Sequence, residues 1–479
     1  MADIDIFALR RGSVTAPAGC GKTQLIADTL ARHRGPKPIL VLTHTNAGVA
    51  ALRARMQRGR VPQSAFTLAT LDGFTRSLVR SFPFRSGLDP QILKLENPKQ
   101  DYAAMRAAAA KLLAAGHINE ILDATYSNLI VDEYQDCSLS QHAIVDCIAN
   151  VLPTCVLGDP MQAIFGIAGN QLVDWTSQVL PRFPYVCALQ IPWRWRNAGT
   201  ESFGHWLLKC RDILLNGGPI DLRTAPPELT WIRLSPATAY VQRARAASAL
   251  SPLEGGTVLV IGDSKNASSR RRVASQTPGA INVEPADLAD LVDFGRQFDL
   301  AATNVVARLV EFAGGVMTNV GAAELQKRVA TLRKGKARKP PSSAEHAVVS
   351  FANEPSLARA AEAILSIKAA PGVRVYRPEM LRSCLAAIQT AVGGGCTLLE
   401  ATERERDRCR HLGRTVARRA VGSTLLLKGL EADVAVLLQP ELMDARHLYV
   451  ALTRGARCVI VCSTDPILVP FVRSSQSRD

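Results

Sequence analysis

Residues Ala16-Pro17-Ala18-Gly19-Cys20-Gly21-Lys22-Thr23 stand between a short strand-forming segment and a helix-forming one. No other feature constrains the chain as much. The glycines let backbone N–H groups approach and wrap phosphate oxygens. The start of the following helix adds the positive end of a dipole. In such a loop Lys22 neutralises the outer phosphates of a nucleotide, and the Thr23 hydroxyl ligates Mg²⁺. A strand-loop-helix of this kind demands an α/β sheet around it.

The alternation along the chain supplies that sheet. Residues 12–16 read as a strand, 23–33 as a helix, 38–42 as a buried parallel strand and 47–56 as a helix. Two further apolar strands, 128–131 and 154–157, end in Asp132 and Asp159. Ligands bind beyond the carboxyl ends of strands in such sheets, so acids there are placed for function. Downstream of a phosphate loop, Asp132 is expected to hold the Mg²⁺ shell and Glu133 to polarise the attacking water. The Ala-rich stretch 101–115 reads as a helical insertion. A second α/β pattern appears at 229–234 and 256–261, gives way to helices over 285–412, and returns at 423–427, 433–438 and 458–462.

The chain has 479 residues, 47% apolar and 21% charged, which suits two to four globular domains rather than disorder. Lys and Arg number 57 against 42 Asp and Glu, a balance of +15 that points first to a polyanion partner. The first residues lack the basic-then-apolar layout of a signal peptide. No apolar run reaches the roughly 18 residues of a membrane span. Eleven cysteines are scattered without a CxxC pair, Cys458 and Cys462 being the closest two. A cytoplasmic protein without membrane association is therefore expected.

Further segments then fall into a familiar order. Thr43-His44-Thr45-Asn46 follows the second strand, and Thr70-Leu71-Asp72-Gly73-Phe74 comes next. The acids sit in Asp132-Glu133-Tyr134-Gln135-Asp136, and Gly158-Asp159-Pro160-Met161-Gln162-Ala163-Ile164-Phe165 ends the following strand. Near the C-terminus come Lys428-Gly429-Leu430-Glu431 and Leu448-Tyr449-Val450-Ala451-Leu452-Thr453-Arg454. With the phosphate loop, these seven segments resemble the UvrD/Rep-like superfamily 1A DNA helicases.

The resemblance implies two RecA-like P-loop lobes with parallel sheets, each interrupted by a mainly helical insertion. On that reading the first lobe takes residues 1–75 and 122–190, with a small insertion at 76–121. The second takes 191–284 and 413–479, with its insertion at 285–412. It implies ATP and Mg²⁺ as cofactors, and single-stranded or tailed duplex DNA as partner, with 3′ to 5′ movement. Ala16 to Thr23 and Glu431 would bind ATP, and Thr23 and Asp132 the metal. Lys22, Glu133, Gln162, Arg194 and Arg454 would be catalytic, Arg454 as an arginine finger. Arg196 rivals Arg194 for its place. Thr43, His44, Asn46, Thr70 and Phe165 would touch DNA.

The chain also departs from the family. No Gln precedes the phosphate loop to read adenine. Phe165 and Ile167 stand where the family has two stacking aromatics, and His44 where it has Phe. The run Ser423-Thr424-Leu425-Leu426-Leu427-Lys428 lacks the family's His. Together with the brief first insertion, these departures suit a second reading. It is a DNA-gated ATPase subunit of a Gabija-type anti-phage complex, partnered by an OLD/TOPRIM-type nuclease. Finally, Lys327, Arg328, Arg333, Lys334, Lys336, Arg338 and Lys339 form a basic stretch without an acid, either a duplex-phosphate grip or a solvated linker.

Overall fold

The computed structural model describes residues 4–95, 97–166, 171–411 and 417–472. The chain is α/β, with two six-stranded sheets. It divides into two compact units, Met1–Arg233 with Pro440–Asp479, and Leu234–Gln439.

In the first unit the leading sheet comprises β1 (Arg11–Thr15), β2 (Ile39–Thr43), β3 (Phe66–Thr70), β4 (Leu129–Val131), β5 (Thr154–Gly158) and β6 (Tyr185–Ala188), in the order β3-β2-β4-β5-β1-β6. All of its pairs are parallel. Every residue of β2 is buried, as a strand covered on both faces must be. Its side chains divide by parity. Ile39 and Val41 join one core with Leu25, Ile26 and Leu30 of α1 (Lys22–Arg32) and with Leu52 and Met56 of α2 (Asn46–Arg58). Leu40 and Leu42 join the other, with Leu71, Phe74 and Leu78 of α3 (Leu71–Ser81). Each such side chain taken fully from water contributes about 1.5–3 kcal/mol, so the centre of this sheet is its most stable part. The helix Pro98–Ala114 packs into the same second core through Met105, Ala109 and Leu112. The edge strands β3 and β6 escape a sequence reading because they are only partly buried and lack a continuous apolar run. Later in this unit, Leu229–Arg233 pairs in parallel with Gly455–Ser463.

In the second unit Val258–Ile261 lies between Arg419–Gly422 and Ala432–Leu437, with Ile281–Asn282 beside Arg419–Gly422, all parallel. The expected strand at 423–427 is a correction. The strand is Arg419–Gly422, and the leucines after it turn instead. The Leu427 N–H donates to Ser423 O at 3.0 Å, and Gly429 takes φ +82°. Three consecutive leucines, themselves unbranched at Cβ, make an apolar run without strand preference, and Thr424 alone does not supply one. Helices from Ala289–Gln297 to Leu398–His411 pack about a core of their own, including Leu309, Val348, Phe351, Ile364 and Ile388. Where sheet gives way to helices, buried Arg377 donates to both oxygens of Glu284 at 2.8 Å and to Asp290 at 2.7 Å.

The basic stretch is not a bare linker. Lys327, Arg328 and Arg333 lie on the helix Ala322–Arg333, and Arg328 reaches Glu345 at 3.2 Å and the Lys339 carbonyl at 2.6 Å. Lys327, Arg333, Lys334, Lys336, Arg338 and Lys339 are exposed. Leu398–His411 is helical, with an Arg408–Glu405 pair at 3.0 Å, whereas Arg419 begins a strand and donates to the Pro278 carbonyl at 2.5 Å.

Candidate nucleotide-binding site

The phosphate loop joins β1 to α1 at the carboxyl end of the first sheet. Gly19 and Gly21 hold φ of +70° and +89°, a region that only glycine adopts freely. Space demands glycine as well. A Cβ at Gly19 would lie 2.6 Å from the Trp195 ring, and one at Gly21 would lie 2.8 Å from Trp193. No side chain caps the start of α1, where Gly21 is the N-cap. By contrast the helix Leu139–Ala149 carries a full capping box from Ser138 and Gln141. The first-turn amides of α1 are thus left to an anion.

β4 delivers the two acids opposite that loop. Lys22 Nζ lies 2.8 Å from Asp132 Oδ1 and 2.6 Å from Glu133 Oε1. Burial works against the lysine's charge, but Asp132 and Glu133 together push its pKa up. Burial also lifts Asp132 above the usual carboxylate range, with Lys22 opposing and Glu133 adding to the shift. Glu133 itself holds φ +55°, a left-handed conformation that costs a non-glycine residue about 1–2 kcal/mol. Strain of that kind persists where surrounding contacts over-determine it, and it clusters at working sites. Cys20 in the loop is buried, and burial foremost pushes its thiol up to about 12, so it stays protonated and inert.

The next turn is wired to these acids. Gln135 Nε2 donates to Glu133 Oε2 at 2.5 Å, and Gln135 Oε1 accepts the Asp159 N–H at 3.0 Å. Gln162 Nε2 donates to Asp159 Oδ2 at 3.2 Å. Arg211, from the helix Glu201–Leu215, places Nε and Nη2 at 3.0 and 2.8 Å from Asp159 Oδ1, both residues being buried.

Distant segments converge on the loop too. The Arg194 N–H donates to Gly19 O at 3.0 Å, and Arg194 Nη1 to Thr453 O at 2.6 Å. Trp195 Nε1 donates to Gly455 O at 3.0 Å. The residue between those two carbonyls is Arg454, 3% exposed, with its Nε donating to Val450 O at 2.9 Å. Arg196, by contrast, is exposed and paired with Glu201 at 2.5 Å.

Other sequence-derived residues take these places. Ala16, Pro17 and Ala18 are buried in the loop, and Thr23 follows Lys22 in the first turn of α1. Thr43 ends β2 fully buried, its Oγ1 without a hydrogen-bond partner. Asn46 opens α2, and Thr70 caps α3 by accepting the Gly73 N–H at 3.0 Å. The His44 and Phe165 rings lie 5.8 Å apart. Ile167 lies outside the described residues. Glu431 sits exposed in the second unit, after the Gly429 turn. Gln135 and the Tyr449 hydroxyl lay inside recognised segments and could have been singled out there. Arg211 had no such signal, being one charge on a helix face shared with Phe203, Leu207, Cys210 and Leu214.

Among the described residues no group of three His, Cys, Asp or Glu side chains is arranged to hold a metal by itself. The Thr23 hydroxyl and the buried Asp132 carboxylate form an all-oxygen donor set. Such a set fits Mg²⁺, which binds through few protein ligands together with substrate phosphates and water.

A glycine-bent loop on an uncapped helix, with a lysine facing strand-end acids, defines a P-loop nucleotide-binding domain of the RecA-like kind. Residues 9–99 and 91–173 match the UvrD/REP helicase N-terminal domain, so the likeness covers the first third of the chain. No curated protein matches the chain. Among solved structures, the arterivirus nonstructural protein 10 helicase, in a complex with DNA, is similar at 9% identity and a TM-score of 0.36, over 96% of this chain. The match covers 61% of that helicase's chain.

Proposed function

We propose that the chain hydrolyses ATP and couples hydrolysis to 3′ to 5′ movement along single-stranded DNA. The observation that carries this reading is the placement of Lys22 between Asp132 and Glu133 at the mouth of a glycine-bent phosphate loop. Incoming phosphates compete for Lys22 and draw it from the acids. Bound Mg²⁺, held by Thr23 and Asp132, supplies neutralisation of charge on the phosphate oxygens. Glu133 accepts a proton from the attacking water as its oxygen bonds to the γ-phosphorus and the bond to the bridging oxygen breaks. Arg194 and Arg454 supply planar, permanent charge for the spread phosphoryl charge, and Gln162 senses the γ-phosphate. Arg194 is preferred to Arg196 because its backbone is bonded to the phosphate loop.

Thr43, His44, Asn46, Thr70 and Phe165 form the DNA contacts in this reading. The proposed lobes are residues 1–75 with 122–190, and 191–284 with 413–479, their insertions being 76–121 and 285–412. The charge of +15 and the exposed basic rim from Lys327 to Lys339 suit a phosphate partner. The eleven cysteines are free, a state that suits a reducing compartment. No described helix is long and apolar enough to cross a membrane.

A DNA-gated ATPase working beside a nuclease in anti-phage defence is the second reading. It is favoured by the pairing of Phe165 with His44, a small ring surface for gripping bases. A tailed-duplex strand-displacement assay separates the two.

Glu133→Gln tests the chemistry. ATP binding should persist while hydrolysis falls by about 10²–10⁴-fold. Hydrolysis near the wild-type rate would remove Glu133 from the mechanism.

A further inference from the structure

Both carboxylate oxygens of Glu133 are engaged, Oε1 by Lys22 at 2.6 Å and Oε2 by Gln135 Nε2 at 2.5 Å. The opposite end of the same amide accepts the Asp159 N–H at 3.0 Å. That second bond fixes how the amide points, since only its oxygen can accept and only its NH₂ can donate. Asp159 opens the turn that carries Gln162 and receives the Gln162 amide at 3.2 Å. The bridge also explains the glycine at the end of β5. A Cβ on Gly158 would lie 2.5 Å from Gln135 Oε1 and 2.9 Å from the Trp175 ring, so only glycine lets Gln135 cross there. Gln135 is itself buried.

We propose that Gln135 is a positioning residue that aligns the Glu133 carboxylate and ties this alignment to the turn bearing Gln162. The inference rests on the general-base reading of Glu133. When phosphates compete for Lys22, the Gln135 bond continues to hold Glu133. A shift of the 159–162 turn moves the Asp159 N–H, then the amide, then the carboxylate. The turn leads directly to Phe165, beside His44, so nucleic acid resting there would reach Glu133 through two hydrogen bonds.

Two substitutions separate the ends of the bridge. Gln135→Ala removes both. Gln135→Glu keeps an oxygen for the Asp159 N–H but replaces the donor to Glu133 with a second carboxylate. Two quantities are read: ATP turnover with its kcat and KM, and hydrogen exchange at the Asp159 amide in nucleotide-free protein. Gln135→Ala should lower kcat about 10²-fold, the scale of a small misplacement of reacting groups, leave KM for ATP nearly unchanged and speed Asp159 exchange. Gln135→Glu should lose as much kcat while Asp159 exchange stays slow. Gln135→Glu turning over ATP like wild type would overturn the proposal. So would loss of exchange protection in that variant, which would mark a purely structural role. Failure of the underlying reading looks different, because Glu133→Gln would then itself remain active.

Discussion

The hydroxyl oxygen of Tyr449 accepts the Ala18 N–H at 3.1 Å, although 431 residues separate the two in the chain. Both are buried, so the phosphate loop is shaped partly from the far end of the sequence. Tyr449→Phe would leave a buried loop N–H without its partner, at about 1–3 kcal/mol. ATP affinity should fall roughly tenfold, the equivalent of about 1.4 kcal/mol, with kcat changing much less. Nucleotide titration beside thermal melts checks this, and unchanged affinity and melting would show that the hydroxyl does not shape the loop.

Lys22 faces two acids, so its removal affects folding as well as hydrolysis. Lys22→Ala should abolish turnover and, without nucleotide, cost about 1–3 kcal/mol by leaving Asp132 and Glu133 side by side. The pH dependence has a definite sign. Folding raises the Lys22 pKa, so its contribution is fully present below the unfolded value of about 10.4 and is lost as pH rises through the folded value. The stability gap between wild type and variant should therefore shrink on the alkaline side. Denaturant unfolding across that range measures it, and a gap that widened with pH would contradict the pairing.

Arg211 places two donors on one oxygen of a fully buried carboxylate. Removing one partner of such a pair leaves an uncompensated charge and costs about 3–5 kcal/mol. Arg211→Ala should reach that range in urea unfolding and disturb the Gln162 turn, because Gln162 shares Asp159. Arg211→Lys, which keeps the charge but not the fork, should recover part of it. A loss below about 1 kcal/mol, the scale of exposed pairs, would show that Asp159 is solvated.

Much of this site was legible in the sequence because its chemistry is local. The loop glycines, Lys22, Asp132 and Glu133 stand in short runs whose residue types suit phosphate binding. The buried strands were legible because β2 is apolar at four of its five positions. What stayed hidden depends on tertiary neighbours. Arg211 becomes a partner of Asp159 only once its helix packs, and Trp195 becomes a wall for Gly19 only in the folded chain. The edge strands β3 and β6 carry weak patterns because an edge is only partly buried. The leucines at 425–427 misled because hydrophobicity alone does not separate a packed turn from a strand.

Arg454 provides the most direct test of the account, because its charge is proposed to act on the phosphoryl group although it lies farthest along the chain from the phosphate loop. ATP hydrolysis should be measured with and without single-stranded DNA, alongside ATP binding, for wild type and Arg454→Ala. Wild-type hydrolysis should rise with DNA. The variant should lose about 10³–10⁵-fold of the stimulated rate while binding ATP nearly as well, since an arginine finger acts chiefly in the transition state. Retention of most of the stimulated rate by Arg454→Ala, or a wild-type rate indifferent to DNA, would contradict the DNA-driven motor.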